Sequence, residues 1–313
     1  MTTPKRRRPV TSAASLAVAV CMMLFGAPAR ADQAENPSRP ETAPVAIAIV
    51  PSRQFDAGLE DGGRVGVSGY LVDATANLPL SESLGVGLHF AYEFADFRFS
   101  APAKFAQAGA WGEVYRLELG GNVGYDLTPE WSVYVAPAVQ VYREADAGWS
   151  NALEYGGDLT VTKDFGPALT LGFGLEGFNE LGQVWLCPLL VVNWKVTDRL
   201  TLTNPSRPGP VGQTGLEVAY RAGGGWEVGG GAAYLSNRFR LKDAGGLGAG
   251  IAETRAVPVW GRLSRGIGKH FNLDLYAGAM IAGEVEIEDR AGGNGSDRYD
   301  PAPFLALALS TRF

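Results

Sequence analysis

Apolar and polar residues alternate with period two along most of this chain, down to its last residue. Between Val114 and Leu127, Tyr115, Leu117, Leu119, Val123, Tyr125 and Leu127 take one face. Arg116, Glu118, Gly120, Asn122, Gly124 and Asp126 take the other. In the longest stretch, Phe271, Leu273, Leu275, Ala277, Ala279, Ile281, Val285 and Ile287 oppose Asn272, Asp274, Glu284, Glu286 and Glu288. Side chains of an extended strand point alternately to its two faces, so this is a strand pattern. Helices are disfavoured by 42 glycines and 19 prolines spread along the whole length. Relative to alanine these cost a helix roughly 1 and 3 kcal/mol per residue. Beyond residue 31 no apolar run is longer than nine residues, as in Val184–Val192. A helical membrane span needs about 20.

A soluble sandwich buries the apolar face of such strands, whereas a membrane barrel turns it to lipid. Three features select the barrel. Several alternating segments reach about 12 residues, longer than the usual five or six of a soluble sheet and enough for a tilted bilayer crossing. Connections alternate between short (Leu78–Ser83, Thr128–Glu130, Asp164–Pro167, Thr197–Arg199, Ala222–Gly225, Gly266–His270) and longer ones (Pro51–Gly62, Ser100–Gly112, Glu144–Asn151, Thr203–Gln213, Lys242–Glu253, Asp289–Pro301). Outer-membrane barrels have short periplasmic turns and longer outer loops. Aromatics also gather at two levels: Tyr125, Trp131, Phe165, Trp194, Trp226, Phe271 and Phe313 beside the short turns, and Phe97, Phe99, Trp111, Trp149, Tyr155, Phe178, Phe239 and Phe304 toward the other end. Two interfacial girdles are expected of a barrel. The fold class is therefore all-β, a closed antiparallel transmembrane β-barrel of 12–14 strands, with 14 the preferred count.

The N-terminus has the form of an export signal. Lys5, Arg6, Arg7 and Arg8 precede an apolar run from Ala13 to Phe25, and Ala29 and Ala31 form an A-x-A site with cleavage between Ala31 and Asp32. The domain organisation is then a signal peptide at 1–31, a flexible periplasmic leader at 32–43 and the barrel at 44–313, placed in the cell outer membrane. Removing residues 1–31 takes away five of the 27 basic residues and none of the 33 acidic ones, leaving a net charge near −11. Nucleic acid is thereby excluded as a partner, because binding it takes a basic footprint. One cysteine, Cys187, is left.

The C-terminal segment Ala302–Phe313 ends on an aromatic, with Leu305, Leu307 and Leu309 on the same side. It resembles the closing strand of bacterial outer-membrane proteins, whose terminal aromatic is recognised by the barrel assembly machinery. That resemblance makes Phe313 the assembly signal and the machinery a partner during biogenesis. The second half, from Pro208-Gly209-Pro210 through Val257-Pro258-Val259 to Tyr299-Asp300-Pro301-Ala302-Pro303-Phe304, is similar to a family of uncharacterised bacterial outer-membrane barrels. The similarity implies fold and location, and brings no activity or binding residues.

No catalytic constellation is visible, and the protein is expected not to be an enzyme. The two histidines, His89 and His270, lack a nucleophile at motif spacing. The glycine runs at 223–225 and 245–250 lead into no helix, so they lack the geometry that binds phosphate. Asp289, Asp297 and Asp300 form no complete calcium pattern. No cofactor and no metal are expected. The lumen-lining candidates are Arg116, Glu118, Glu154, Asp158, Glu176, Glu217, Arg221, Glu227, Arg262, Asp274, Glu284 and Glu286. Charged rings in a wet pore set ion selectivity, and acids outnumber bases here, most densely at Glu284, Glu286 and Glu288. The strand Val184–Val196 departs from the pattern by turning Trp185, Leu189 and Val191 inward. The leading expectation is a passive channel or small-molecule uptake barrel with a mildly cation-preferring lumen. The other is a non-conducting structural or surface-binding barrel acting through its outer loops. Membrane lipid and lipopolysaccharide are the expected surroundings, and an ion or small molecule the permeant.

Overall fold

The structure is a computed structural model that describes residues 44–105, 109–205, 208–212, 214–243, 249–288 and 294–313. The expected cleavage site at Ala31–Asp32 and the leader at 32–43 lie outside these residues. In chain order the strands are β1 (Val45–Gly58), β2 (Arg64–Pro79), β3 (Leu84–Ser100), β4 (Glu113–Asp126), β5 (Trp131–Glu144), β6 (Leu153–Asp164), β7 (Leu169–Glu180) and β8 (Gln183–Lys195). They continue with β9 (Leu200–Thr203), β10 (Gly215–Gly223), β11 (Trp226–Ala233), β12 (Leu235–Arg240), β13 (Ile251–Ile267), β14 (Phe271–Glu288), β15 (Gly295–Tyr299) and β16 (Ala302–Arg312).

Neighbours in sequence pair antiparallel, and β1 pairs with β16 to close the ring. β11 and β12 pair with successive stretches of β13, and β15 and β16 with successive stretches of β14. Each of these two couples is one stave interrupted by a break, so the sixteen segments form a closed barrel of 14 staves. The second break falls at Asp300–Pro301, where proline has no N–H to give a ladder. At the seam the Phe313 amide donates to the Val45 carbonyl at 2.9 Å.

Three of the short turns share one local device. The hydroxyls of Ser81, Thr128 and Thr197 accept from the amides two and three residues ahead, at 3.0–3.3 Å. A Ser or Thr side chain that mimics a backbone carbonyl in this way tightens a turn. At the opposite end the connections are longer, except for the two-residue link Leu181–Gly182. The strands are also longer than the alternation implied. β1 runs to Gly58, so the expected loop Pro51–Gly62 contracts to Leu59–Gly63.

The apolar faces point away from the barrel axis around the ring. Leu88, Leu119, Leu159, Phe173, Leu190, Val228, Leu275 and Leu305 are exposed, and Ala48, Ala91, Gln140, Thr160, Arg262 and Ala306 on the opposite faces are buried. This inverts the pattern of a soluble protein and suits a wall facing lipid.

Three irregularities shape the interior. First, Ala282 adopts a positive φ of 50°, and the β13–β14 register slips by one residue between Arg255 and Val257. Such a bulge reverses the faces of a strand. The alternation had placed Val285 and Ile287 on the lipid face with Leu275. The structure corrects this, burying both inside and carrying Glu284, Glu286 and Glu288 to the other face. Second, the stave formed by β11 and β12 bends at Tyr234. The far end of β12 reaches across the ring to bridge β5 at Arg240 and Arg143. Third, β9 has only four residues and pairs β8 solely at Asn193–Lys195.

Candidate functional site

The lumen holds the chemistry, and its inner wall differs from sector to sector. From β2 to β5 it carries a band of paired charges. Arg116 bridges Glu93 at 2.9 Å and lies over the Tyr142 ring. His89 Nε2 meets Asp73 at 2.7 Å, and its Nδ1 lies 3.3 Å from Glu118. Glu93 lies four residues further along the same face of β3 and pairs with Arg116. The strand register supplies Asp73 and Glu118 instead, one from each neighbour, because cross-strand side chains sit closer than those four apart on one strand.

Near the short-turn end of β10–β14, Arg262 is buried among three acids. Its guanidinium donates to Glu217 and Glu227 at 2.6 Å and to Asp274 at 2.9 Å. The Trp260 indole donates to the second Glu217 oxygen at 2.9 Å. Gly229 and Gly231, on the inner face of β11, leave room for these side chains. A Cβ on Gly231 would overlap the Leu216 carbonyl oxygen and crowd the Trp260 ring. Four of the lumen candidates, Glu217, Glu227, Arg262 and Asp274, thus meet in one node. Arg221 stays near the turn, its amide bonded to the Arg199 carbonyl.

Toward the loop end the interior is apolar and aromatic. Phe239 on β12 is fully buried, with ring centroids 5.9, 5.7 and 5.3 Å from Phe97, Trp111 and Tyr142. Phe105, Leu241, Val285 and Ile287 complete the cluster. The expected outer girdle is therefore corrected in part. Trp111, Phe178, Phe239 and Phe304 are buried inside, and only Trp149 and Tyr155 of that set are strongly exposed. Alternation cannot tell these cases apart, since an aromatic on either face reads the same until the partner face is known. On the outside, Tyr70, Tyr92, Phe94 and Tyr115 form a ring-to-ring patch.

Glu284 and Glu286, taken from sequence as pore-lining acids at the mouth, lie within 3.6 and 3.2 Å of Arg255. Arg238 joins Glu253 and Glu288 beside them, at 3.3 and 2.7 Å. Carboxylates of Glu253, Glu286 and Glu288 converge, and Arg238 and Arg255 offset two of their three charges.

A cavity of about 120 Å³ lies between this cluster and the wall of β1–β3. Ser52, Gln54, Asn237 and Thr254 supply polar groups, and Phe97, Tyr142, Met280 and Phe304 the apolar lining. Its size is close to the roughly 150 Å³ at which an apolar cavity takes up a benzene-sized guest.

The third sector, β6–β8, is unlike either. Its inner face bears Glu154, Asp158, Glu176 and Glu180, and then Trp185, Leu189 and Val191 on β8. Beyond Asn193 no strand among the described residues continues the wall next to β8. Asn204 closes the foot of this notch, accepting from the Val192 amide at 2.7 Å and donating to the carbonyls of Leu190 and Gly215 at 2.8 and 2.9 Å. Val192 and Leu190 turn their backbone groups to the notch, and by alternation Pro188 does too. Pro188 there lacks the N–H that a paired strand would need.

The closed 14-stave ring with a lipid-facing apolar exterior defines a β-barrel of the outer-membrane type. The chain belongs to the family described as Domain of unknown function (DUF6268), whose model matches residues 103–300. Among solved structures, an outer membrane channel from Pseudomonas putida F1 is similar over 91% of this chain and 100% of that one, with TM-score 0.51 and 10% identity. A Pseudomonas aeruginosa FadL homologue gives TM-score 0.45 at 12% identity over 86% and 89%. LpxR from Salmonella typhimurium gives TM-score 0.35 at 11% identity over 86% and 100%. No curated protein matches the chain.

Proposed function

We propose that this protein is a passive channel of the cell outer membrane that admits small molecules or ions through its lumen. The observation that carries this reading is the polar inner wall from β2 to β7 inside a ring closed by hydrogen bonds, since an interior of paired charges and hydroxyls calls for water. The short turns face the periplasm and the longer loops the exterior. Cysteine labelling of intact cells at Gly245 and Thr197 tests the orientation, and labelling at Thr197 with Gly245 protected would reverse it.

Any current prefers cations. The acids responsible are those of β6 and β7, whose inner faces carry Glu154, Asp158, Glu176 and Glu180 and no basic residue. Glu284 and Glu286 contribute less, because the bulge at Ala282 turns them to the face opposite the buried Val285 and Ile287, and Arg255 offsets them. Planar-bilayer recording under a KCl gradient is the test. A reversal potential on the cation side is expected, and one on the anion side refutes the preference. The aromatic cluster under the loop end favours a second reading, a barrel closed to ions that acts through its outer surface. Absence of current from a folded, heat-modifiable barrel decides for it.

A further inference from the structure

The inner wall of β6–β8 joins two kinds of group that recognise one class of ligand. Phe178 on β7 and Trp185 on β8 are paired residues of the ladder, both turned to the lumen. Phe178 is buried, and its ring fills the space where a Cβ on Gly156 would lie. One step toward the loops, Glu180 and Glu154 flank this aromatic row. One step toward the turns, Glu176 does, with Asp158 as its ladder partner. Two residues along a strand span about 7 Å, so carboxylates bracket the rings on both sides. Glu154 is fully buried, takes one hydrogen bond from Gln140 at 2.7 Å, and keeps its other oxygen buried without a donor. The nearest cations make their ion pairs elsewhere, Arg116 with Glu93 and Arg238 with Glu253 and Glu288, and act on Glu154, Glu176 and Glu180 only as through-space charges.

We propose that this wall binds a small organic cation, of the quaternary-ammonium kind, held over Phe178 and Trp185 and balanced by Glu176, Asp158 and Glu180. A cation over an aromatic face is attracted by the ring quadrupole, most strongly by Trp and more so when partly desolvated. A metal ion keeps its water shell and so gains little from the aromatic row, and a neutral apolar molecule leaves the carboxylates unbalanced. The apolar residues Leu189 and Val191, lower on β8, extend the surface on which the alkyl groups rest. The notch beside β8 leaves the wall low on one side of the site. This deepens the channel reading by naming a permeant class and rests on the lumen being reachable from water.

Cys187 gives a local probe. It is the ladder partner of Glu176, and the only other cysteine, Cys21, lies in the export segment and is removed by Cys21→Ser. In the reconstituted full-length C21S protein, choline should slow reaction of Cys187 with a water-soluble maleimide severalfold. Its neutral isostere dimethylbutanol and potassium at the same concentrations should leave the rate unchanged. Asp158→Asn with Glu176→Gln should abolish the protection while Cys187 still reacts at its unliganded rate, and Trp185→Leu should weaken it. Equal protection by the neutral isostere or by potassium, or none by choline, overturns the proposal. KCl current is read separately, so a silent barrel that still protects Cys187 counts against the channel alone.

Discussion

The walls of β2–β7 and of β8–β12 are built to different rules. In the first, every strand has 12 or more residues and pairs along both edges. There the inner face is polar: from β2 to β5 its charges pair with neighbours one strand away, and on β6 and β7 it bears carboxylates. In the second, β9 stops after four residues, the next stave but one bends inward at Tyr234, and the inner face sets apolar residues beside the acids Glu217 and Glu227. A lipid-facing strand must satisfy its backbone within the ring, which fixes β2–β7 tightly. Where a strand is missing, other groups take over: Asn204 from its side chain, Pro188 by having no donor, and β12 by filling the lumen it leaves. A barrel thus tolerates an uneven wall if each unpaired backbone group is met locally.

Removing a charge from the buried node should test this most severely. Arg262→Ala strands Glu217, Glu227 and Asp274 together inside the irregular sector. Loss of one partner from a buried ion network costs on the order of 3–5 kcal/mol. A large drop in the urea midpoint of the detergent-folded barrel is expected, and a midpoint near wild type would show that water already reaches the node.

Phe239→Ala removes the ring by which β12 holds to β3–β5. Deleting a buried phenylalanine side chain costs about 3 kcal/mol or more. If β12 is a stopper, the same change should also raise single-channel conductance. Destabilisation with unaltered conductance would mean that ions pass elsewhere.

Arg116→Gln probes the regular sector. The Arg116–Glu93 pair is about a quarter exposed on both sides, so solvent screening limits its worth to about 1 kcal/mol or less. Stability should barely change while cation preference rises, since Glu93 is released. A fall in cation preference would place this pair off the path.

The smallest effect is expected at Lys104→Ala, outside the membrane. Lys104 bonds Asp61 at 2.8 Å, and that carboxylate raises its pKa. The contact is therefore complete at neutral pH and is lost only as pH rises through the raised lysine value. Both groups are solvent-exposed, and thermal midpoints of mutant and wild type should coincide between neutral pH and mild alkali.

Period-two alternation and the two grades of connection are local properties, and they determined the strands, the two faces of each and the preferred count of 14. Ser and Thr at turn positions did the same for three of the tight turns. The inner face was only half legible. Arg116 and Glu118 could be placed in the lumen from one strand, but the partners of His89 depended on register between strands. The bulge at Ala282 left no mark, because alanine seldom takes a positive φ and the alternation runs on through it. So Val285 was read as facing lipid, and Phe239 as a girdle residue. The inward bend of β12 arises from packing between residues more than a hundred positions apart, such as Phe97 and Phe239. A sequence states which side chains share a face. Which face meets lipid, water or another strand is settled only when the ring closes, because that choice is made by the partner and not by the strand.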